Sequence, residues 1–533
     1  MAAFPPNEPD QESISGTVSK NHPMKTFNKN ALFLPALIAS LGWLLAGPAT
    51  AQTFTTLHSF NGAPGDSGFP SASLLLSGNI LYGTATGGGI ADNNGTVFKV
   101  TTDGTSFTNL HFFTALAAGS TNRDGAFPYA GVILSGNTLY GTAQGGGDAG
   151  KGTVFRVNTD GTSFTNLHSF SASGVNYSYF ETNSDGIIPI GSLVLSGNTL
   201  YGTAYQGGIS GQGTIFKVNT DGTVFTILHS FSAASQGADS PNSDGRFPSA
   251  GLILCGDNLY GTASQGGSSG SGTVFVINTS GAGFTVLHNF SASSEITPGI
   301  VTNSDGVNPS ASLVLSGNTL YGTAYVGGSA GFGTVFAVNT NGTGFKNLRS
   351  FSTAGLNSAG DYTNSDGAGL NSSLVLSGNT LYGVAQTGGS AGLGTLFALN
   401  TDGSGFANLH TFTARIQTNA LGFYTNSDGA YPYAGLILSG NTLYGTASEG
   451  GSAGNGTVFS LAMPLPQLTI VRSGTNVILT WPTNFAAFTL QATTNLASTI
   501  IWSNVSPASV VVSGQNTVTN SISSANKFYR LSQ

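Results

Sequence analysis

Charge is scarce in this chain. Lys and Arg together number 15 and Asp and Glu 22 among 533 residues, 7% in all, where an ordinary globular protein carries roughly 25%. The net charge of −7 is spread thinly, with no basic stripe. The electrostatic footprint of a nucleic-acid binder is therefore missing, and no nucleic-acid partner is expected. The single cysteine, Cys255, excludes a disulfide framework within the chain and a Cys-His metal cluster. It occupies the place of Ser135, Ser196 or Ser316 in sister segments, which reads as a neutral exchange rather than a nucleophile. No helical heptad is found. Gly, with 78 residues, and β-branched or aromatic residues dominate, so the class is all-β. The surface must be built of Ser, Thr, Asn and Gly, and the length allows two or more domains with a large core.

Residues 24–51 read as a secretory signal. Lys25 and Lys29 supply the positive flank, Ala31–Ala46 the apolar run and Ala49-Thr50-Ala51 the small-residue cleavage pattern. Pro35 and Gly42 interrupt the run, which is short for a membrane span. A signal of normal length starts at Met24, so Met24 is read as the true start within a 1–51 signal region, with cleavage after Ala51. No membrane span is expected in the mature chain.

What the chain does have is repetition. Leu-Tyr-Gly-Thr-Ala, or a close variant, starts at Leu81, Leu139, Leu200, Leu259, Leu320, Leu381 and Leu443. A period near 60 residues means one supersecondary unit, repeated in a closed ring or an open stack. In the third copy Ser192–Ser196, Thr199–Ala204, Thr214–Asn219 and Val224–Phe231 read as strands, with Gly197-Asn198 and Asp221-Gly222 as hairpin turns that tolerate positive φ. Four antiparallel strands per repeat is the content of a propeller blade. The ends of the array do not match. The fourth-strand pattern Phe-x-x-Leu-His-x-Phe occurs first at Phe54–Phe60, before any other part of a repeat, and the last repeat stops after its third strand, Gly456–Leu461. A ring explains this, with the N-terminal strand completing the last blade beside Val458 and Phe459 and hiding the edges that a stack would expose. The expected fold is all-β: a seven-bladed β-propeller over 52–461, four antiparallel strands per blade, its N-terminal strand closing the last blade, plus a small C-terminal β-sandwich.

Strand alternation puts the connections from strand four to strand one, and from strand two to strand three, on one face. The spacer from the last Phe of strand four to the Asp of the next Asp-Gly holds 5 residues after Phe60, 10 after Phe113, 14 after Phe170, 12 after Phe231, then 14, 14 and 15. Variable loops on a rigid scaffold are where recognition usually resides. The aromatic residues they carry, Tyr177, Tyr179, Phe180, Tyr362, Phe423 and Tyr424, are the candidate ligand-binding residues. Low charge beside aromatics suits a glycan or another neutral polymer. Packing of those rings onto their own blades is the alternative.

Other repeated polar residues read as structural. Asn-Ser-Asp-Gly recurs from Asn183–Gly186 to Asn426–Gly429. Its oxygens suit Ca²⁺, but the acidic ligands and bidentate Glu of a full loop are missing, so an Asx turn is the stronger reading. His58, His111, His168, His229, His288 and His410 share one place in strand four, with Arg349 as the seventh. On an outermost strand they read as hydrogen-bonders rather than as metal ligands. Gly145-Gly146-Gly147 lacks the Lys and the helix of a phosphate loop. Glu181, Glu295 and Glu449 are scattered, and no carboxylate pair or Ser-His-Asp set assembles. No catalytic residue, metal or cofactor is expected.

Beyond a proline-bearing linker, 462–467, the pattern changes. Over 468–533, Val477, Leu479 and Trp481 alternate with Ile478 and Thr480, and Trp502 and Phe528–Leu531 follow, suggesting a small sandwich of immunoglobulin or fibronectin type III character with two core tryptophans. The strings in Ser196–Phe231 (Ser-Gly-Asn-Thr-Leu-Tyr-Gly-Thr-Ala, Gly-Gly, Gly-Thr-Ile-Phe, Asn-Thr-Asp-Gly, Leu-His-Ser-Phe) resemble the GloVer-type tandem repeat of bacterial exported proteins described as choice-of-anchor proteins. The likeness spans about residues 54–461. The tail, from Thr480-Trp-Pro to Phe528-Tyr-Arg-Leu, resembles C-terminal modules of secreted proteins. The resemblance implies export and surface attachment, and brings no reaction.

These readings converge on a secreted or cell-surface binding or scaffold protein, a monomer, whose partner is a polysaccharide or a surface protein. A carbohydrate-active lyase or hydrolase, or a purely structural envelope protein, is the alternative.

Overall fold

The computed structural model describes residues 52–532 apart from 64, 89–93, 177–179, 236–240, 419–423, 465, 483–487, 497–499, 513–514 and 524–525. The signal region expected over 1–51, with its start and cleavage site, lies outside the described residues. Among these residues there is no helix.

Each repeat folds as a four-stranded antiparallel sheet in chain order. In the third, Val194–Ser196, Thr199–Ala204, Thr214–Asn219 and Thr226–Ser230 lie side by side. The second and third strands run in unbroken register from Thr199 opposite Asn219 to Ala204 opposite Thr214. Among the described residues, seven sheets of this kind lie between Thr53 and Ala462, and in the last the strand Thr53–Ser59 pairs with Thr457–Ala462. The first strand of the array thus supplies the fourth strand of the final sheet.

The repeated apolar residues pack between sheets rather than within one. Tyr140, Val154, Leu167 and Phe170 of the second sheet share a core with Leu193, Leu200, Phe216 and Val218 of the third. The same arrangement closes the array: Tyr444, Val458 and Leu57 of the last sheet, with Phe60 just beyond it, pack with Leu74, Leu81 and Phe98 of the first. The middle glycine of Leu-Tyr-Gly-Thr-Ala is required by this packing, because a Cβ on Gly202 would stand 2.6 Å from Phe216 Cζ and 2.8 Å from Leu193 Cδ2. The threonine after it ties neighbours together. Thr203 Oγ1 donates to Ala250 O of the next sheet at 2.9 Å, and Thr446 to Ala72 O at 3.2 Å across the closure.

The spacers expected to be loops are partly strands. Those of 14 or 15 residues fold back as two-stranded hairpins, such as Gly174–Val175 with Glu181–Thr182 and Gly355–Leu356 with Tyr362–Thr363, which satisfies backbone groups that a long irregular excursion would leave to water.

After Ala462 a further four-stranded sheet (Thr469–Ser473, Asn476–Pro482, Gln515–Ser521, Val510–Val512) and a three-stranded one (Ser503–Asn504, Thr489–Thr493, Phe528–Ser532) follow. Leu479, Trp481 and Val518 from the first share a core with Leu490, Tyr529 and Leu531 from the second. Only one of the two tryptophans expected in the core is there: Trp481 is buried, whereas Trp502 is partly exposed with the Arg530 guanidinium 4.4 Å from its ring.

Candidate functional site: a cavity shared by seven sheets

The Asn-Ser-Asp-Gly element anchors the chain where it enters each sheet. In the third repeat Asn183 Oδ1 accepts from the backbone N–H groups of Gly186 (2.8 Å) and Gly208 (3.1 Å), while Nδ2 donates to Ser171 O and Gly186 O. The Asp185 carboxylate takes the Ser171 N–H at 3.0 Å and the Ser171 hydroxyl, and His168 Nε2 lies 3.1 Å away. Burial pushes the Asp185 carboxyl up, but these hydrogen bonds outweigh it and hold the group below its ordinary range. Both side chains are thus occupied by backbone and side-chain groups of their own and the preceding repeat, and among the described residues no group of three or more His, Cys, Asp or Glu could hold a metal.

The histidines have a second contact. The His168 ring lies on Phe225 of the next repeat, centroids 3.6 Å apart and planes 6° apart. His111 on Phe164, His229 on Phe284 and His288 on Phe345 repeat it. Arg349 does the same with its guanidinium 3.5 Å from the Phe406 ring while bonding Asp366 at 2.6 Å. These side chains are inter-sheet latches.

Two residues beyond each Asp-Gly pair, and at the matching place after Asp66-Ser67, the backbone takes positive φ: 58° at Phe69, 57° at Phe127, 59° at Ile188, 58° at Phe247, 58° at Asn308, 71° at Gly369 and 54° at Tyr431. Such a conformation costs a bulky residue about 1–3 kcal/mol, and here it is repeated around one centre. It turns the three residues beginning two positions on inward. Ser71–Ser73, Tyr129–Gly131, Ser249–Gly251, Ser310–Ser312, Asn371–Ser373 and Tyr433–Gly435, with Ile190 and Ser192, line a single cavity of about 380 Å³ to which all seven sheets contribute. The third residue of each set is Ser or Gly because neighbouring segments nearly touch: a Cβ on Gly251 would lie 2.8 Å from Ser192 O and 3.1 Å from Ser312 Oγ.

The wall is neutral. Tyr129, Tyr205, Tyr325 and Tyr433, with Gln144, Gln265, Asn371 and serines, provide its polar atoms, and among the described residues no acid, histidine, lysine or arginine lines it. Burial, and then the neighbouring Tyr433, pushes the Tyr129 hydroxyl up to about 12. Burial raises Tyr205 as well, against the opposing pull of Arg246, and Tyr325 is raised by burial and Tyr433. These phenols therefore stay protonated donors at neutral pH.

Of the six aromatic residues expected to bind ligand, Tyr177, Tyr179 and Phe423 lie outside the described residues. The other three have separate partners: Phe180 is 6.0 Å from the Phe247 ring, Tyr362 is edge-on to Phe332 at 5.5 Å, and Tyr424 lies beside Arg415 at 4.5 Å. Tyr362 and Tyr424 remain 37% and 51% exposed. The cavity tyrosines were not among the expected residues. Their signal is the changing residue after a nearly constant Pro (Ser71, Tyr129, Ile190, Ser249, Ser310, Tyr433) in a repeat that otherwise hardly varies.

A tandem array of four-stranded sheets around a shared cavity defines the chain as an all-β repeat protein. The family model for the Gloeobacter/Verrucomicrobia repeat matches residues 40–182, 117–306 and 173–352, and the chain belongs to that family. No curated protein matches it in sequence. Among solved structures it is similar to the GH74 xyloglucanase of Xanthomonas campestris (12% identity, 81% of this chain and 59% of that one, TM-score 0.44). It is also similar to the GH74 enzyme of Niastella koreensis (14%, 90% and 72%, 0.43) and to the oligogalacturonate lyase of Vibrio parahaemolyticus (9%, 78% and 97%, 0.43). Likeness at this distance bears on neither substrate nor mechanism.

Proposed function

We propose that the array is a seven-bladed β-propeller, followed by a β-sandwich of immunoglobulin or fibronectin type III type, in a protein that is exported and acts as a monomeric binding protein at the cell surface or outside the cell. Its ligand is a glycan, held in the cavity at the propeller axis. The observation that carries this reading is the chemistry of the cavity wall. Tyrosine rings offer flat apolar faces, and the phenols, amides and hydroxyls offer the donors and acceptors that a polyhydroxylated ligand needs. Tyr362 and Tyr424, which do not line the cavity but remain exposed on the long spacers, offer further aromatic surface to such a ligand.

A hydrolase would place paired carboxylates against the scissile bond, and the described wall has none, which favours binding over turnover. The test is a glycan array probed with the wild-type protein and with Tyr433→Ala and Tyr129→Ala. Binding lost in both variants at unchanged melting temperature supports the reading, and a blank array removes it. Depolymerisation of a polysaccharide panel would replace it with the enzyme reading.

A further inference from the structure

One wall of the cavity breaks the sevenfold pattern. Arg246 occupies a position where sister repeats carry small or apolar residues, such as Ala126, Ile187 and Val307. It is only 8% exposed, and its guanidinium sits 4.9 Å from the Phe247 ring. Its Nη2 donates to Gln265 Oε1 at 2.8 Å, its Nε has no partner, and it forms no ion pair among the described residues. Burying a cation without a counter-charge is costly, and nothing in the packing of the sister sheets requires one here.

Gln265 and Tyr205 both line the axial cavity, and Tyr205 stacks on the same Phe247 ring at 5.0 Å. The cation, unpaired among the described residues, therefore stands directly behind the wall. By occupying Gln265 Oε1 it also fixes the amide so that its Nε2 donors are the free capacity.

We infer that the fourth-repeat wall of the cavity, Gln265 backed by Arg246, is a subsite for a carboxylate carried by the ligand. This rests on the glycan reading and narrows it to acidic saccharides built of uronic acids. The Gln265 amide donates to the carboxylate, and the ligand supplies the guanidinium with the counter-charge that it lacks among the described residues. A charge-assisted contact of this kind is worth at least about tenfold in affinity.

The probes are oligosaccharides of glucuronate, galacturonate and mannuronate and their carboxyl-reduced, neutral counterparts, titrated calorimetrically into the full chain. The wild type should bind a uronate form at least about tenfold more tightly than its reduced partner. Arg246→Gln should bind both alike. Because Arg246 is buried, Gln265→Glu serves as the second variant. The added carboxylate pairs with the guanidinium, so the variant should melt no lower than the wild type yet favour the reduced form. Equal affinity of the wild type for both forms, or a uronate preference that survives Gln265→Glu, overturns the inference while leaving the glycan reading in place. Failure of every form to bind removes both.

Discussion

The ring of His410, in the last complete repeat, lies flat on the ring of Phe54, at the start of the array, with centroids 4.0 Å apart and planes 13° apart. His410 Nε2 is at the same time 2.9 Å from Asp428 Oδ2. This is the latch of the internal junctions, made here between the sixth sheet and the N-terminal strand that completes the seventh, and His58 repeats it on Phe107 between the seventh sheet and the first, centroids 3.8 Å apart and planes 1° apart. Closure is therefore chemically the same as the internal junctions, and only chain connectivity distinguishes it.

Phe54→Ala is expected to weaken that junction. The ring also meets Phe459 at 5.1 Å and Phe412 at 5.9 Å and is half-buried, so its loss should cost about 2 kcal/mol. Phe225→Ala removes the equivalent ring at an internal junction at comparable cost. The difference lies in the consequence. An internal sheet stays tethered on both sides, whereas the freed terminal strand can leave. Limited proteolysis should cut within 52–60 faster in Phe54→Ala than in Phe225→Ala, and equal cutting with unchanged melting would contradict the clasp.

Much of this architecture was legible in the sequence because each strand is written several times. Thr199–Ala204 and Thr214–Asn219 match the structure residue for residue, and the pairing of Thr53–Ser59 with the last repeat follows from a register mismatch visible before any coordinates. The partners of polar residues were less legible. His168 and Asp185 were both singled out, one as a hydrogen-bonder and one as a turn residue. Their contact with each other depends on a spacer whose path the sequence does not specify. The cavity was hidden for a related reason: Tyr129 and Tyr433 are distant in sequence, and only the positive-φ turn before each Pro brings their side chains to one centre. Trp502 misled because alternation shows which residues share a face, not which face is covered.

Acid should loosen the ring. Burial alone would raise the carboxyls of Asp66, Asp124, Asp185, Asp244 and Asp305, yet hydrogen bonds, first among them the one with the repeat's histidine, leave each below its ordinary value. The folded pKa is thus lower than the unfolded value of about 3.9. The stability these groups contribute is fully present above that value and is lost as pH falls through the folded pKa values. Melting temperatures measured from pH 6 down to pH 2.5 should decline steeply below about pH 4. A profile flat across that range would show that the Asp latches contribute little.

Arg349 tests whether the latch needs an imidazole or only a flat cation. Its partner Asp366 has a carboxylate 2% exposed, and the guanidinium covers Phe406 as the histidines cover their phenylalanines. Arg349→Ala leaves that carboxylate buried without its counter-charge and should cost about 3 kcal/mol, the low end for a broken buried pair, since Arg349 itself is partly exposed. Arg349→Lys retains the charge but not the planar face and should recover only part of the loss. Arg349→His restores the group used in the six sister repeats and should recover most of it. Urea midpoints in the order wild type, His, Lys, Ala would establish that stacking and charge act together. A Lys variant as stable as the wild type would reduce the latch to its ion pair, and an Ala variant within about 0.5 kcal/mol of the wild type, the ordinary range for an inconsequential surface change, would show that this junction is held by the apolar core alone.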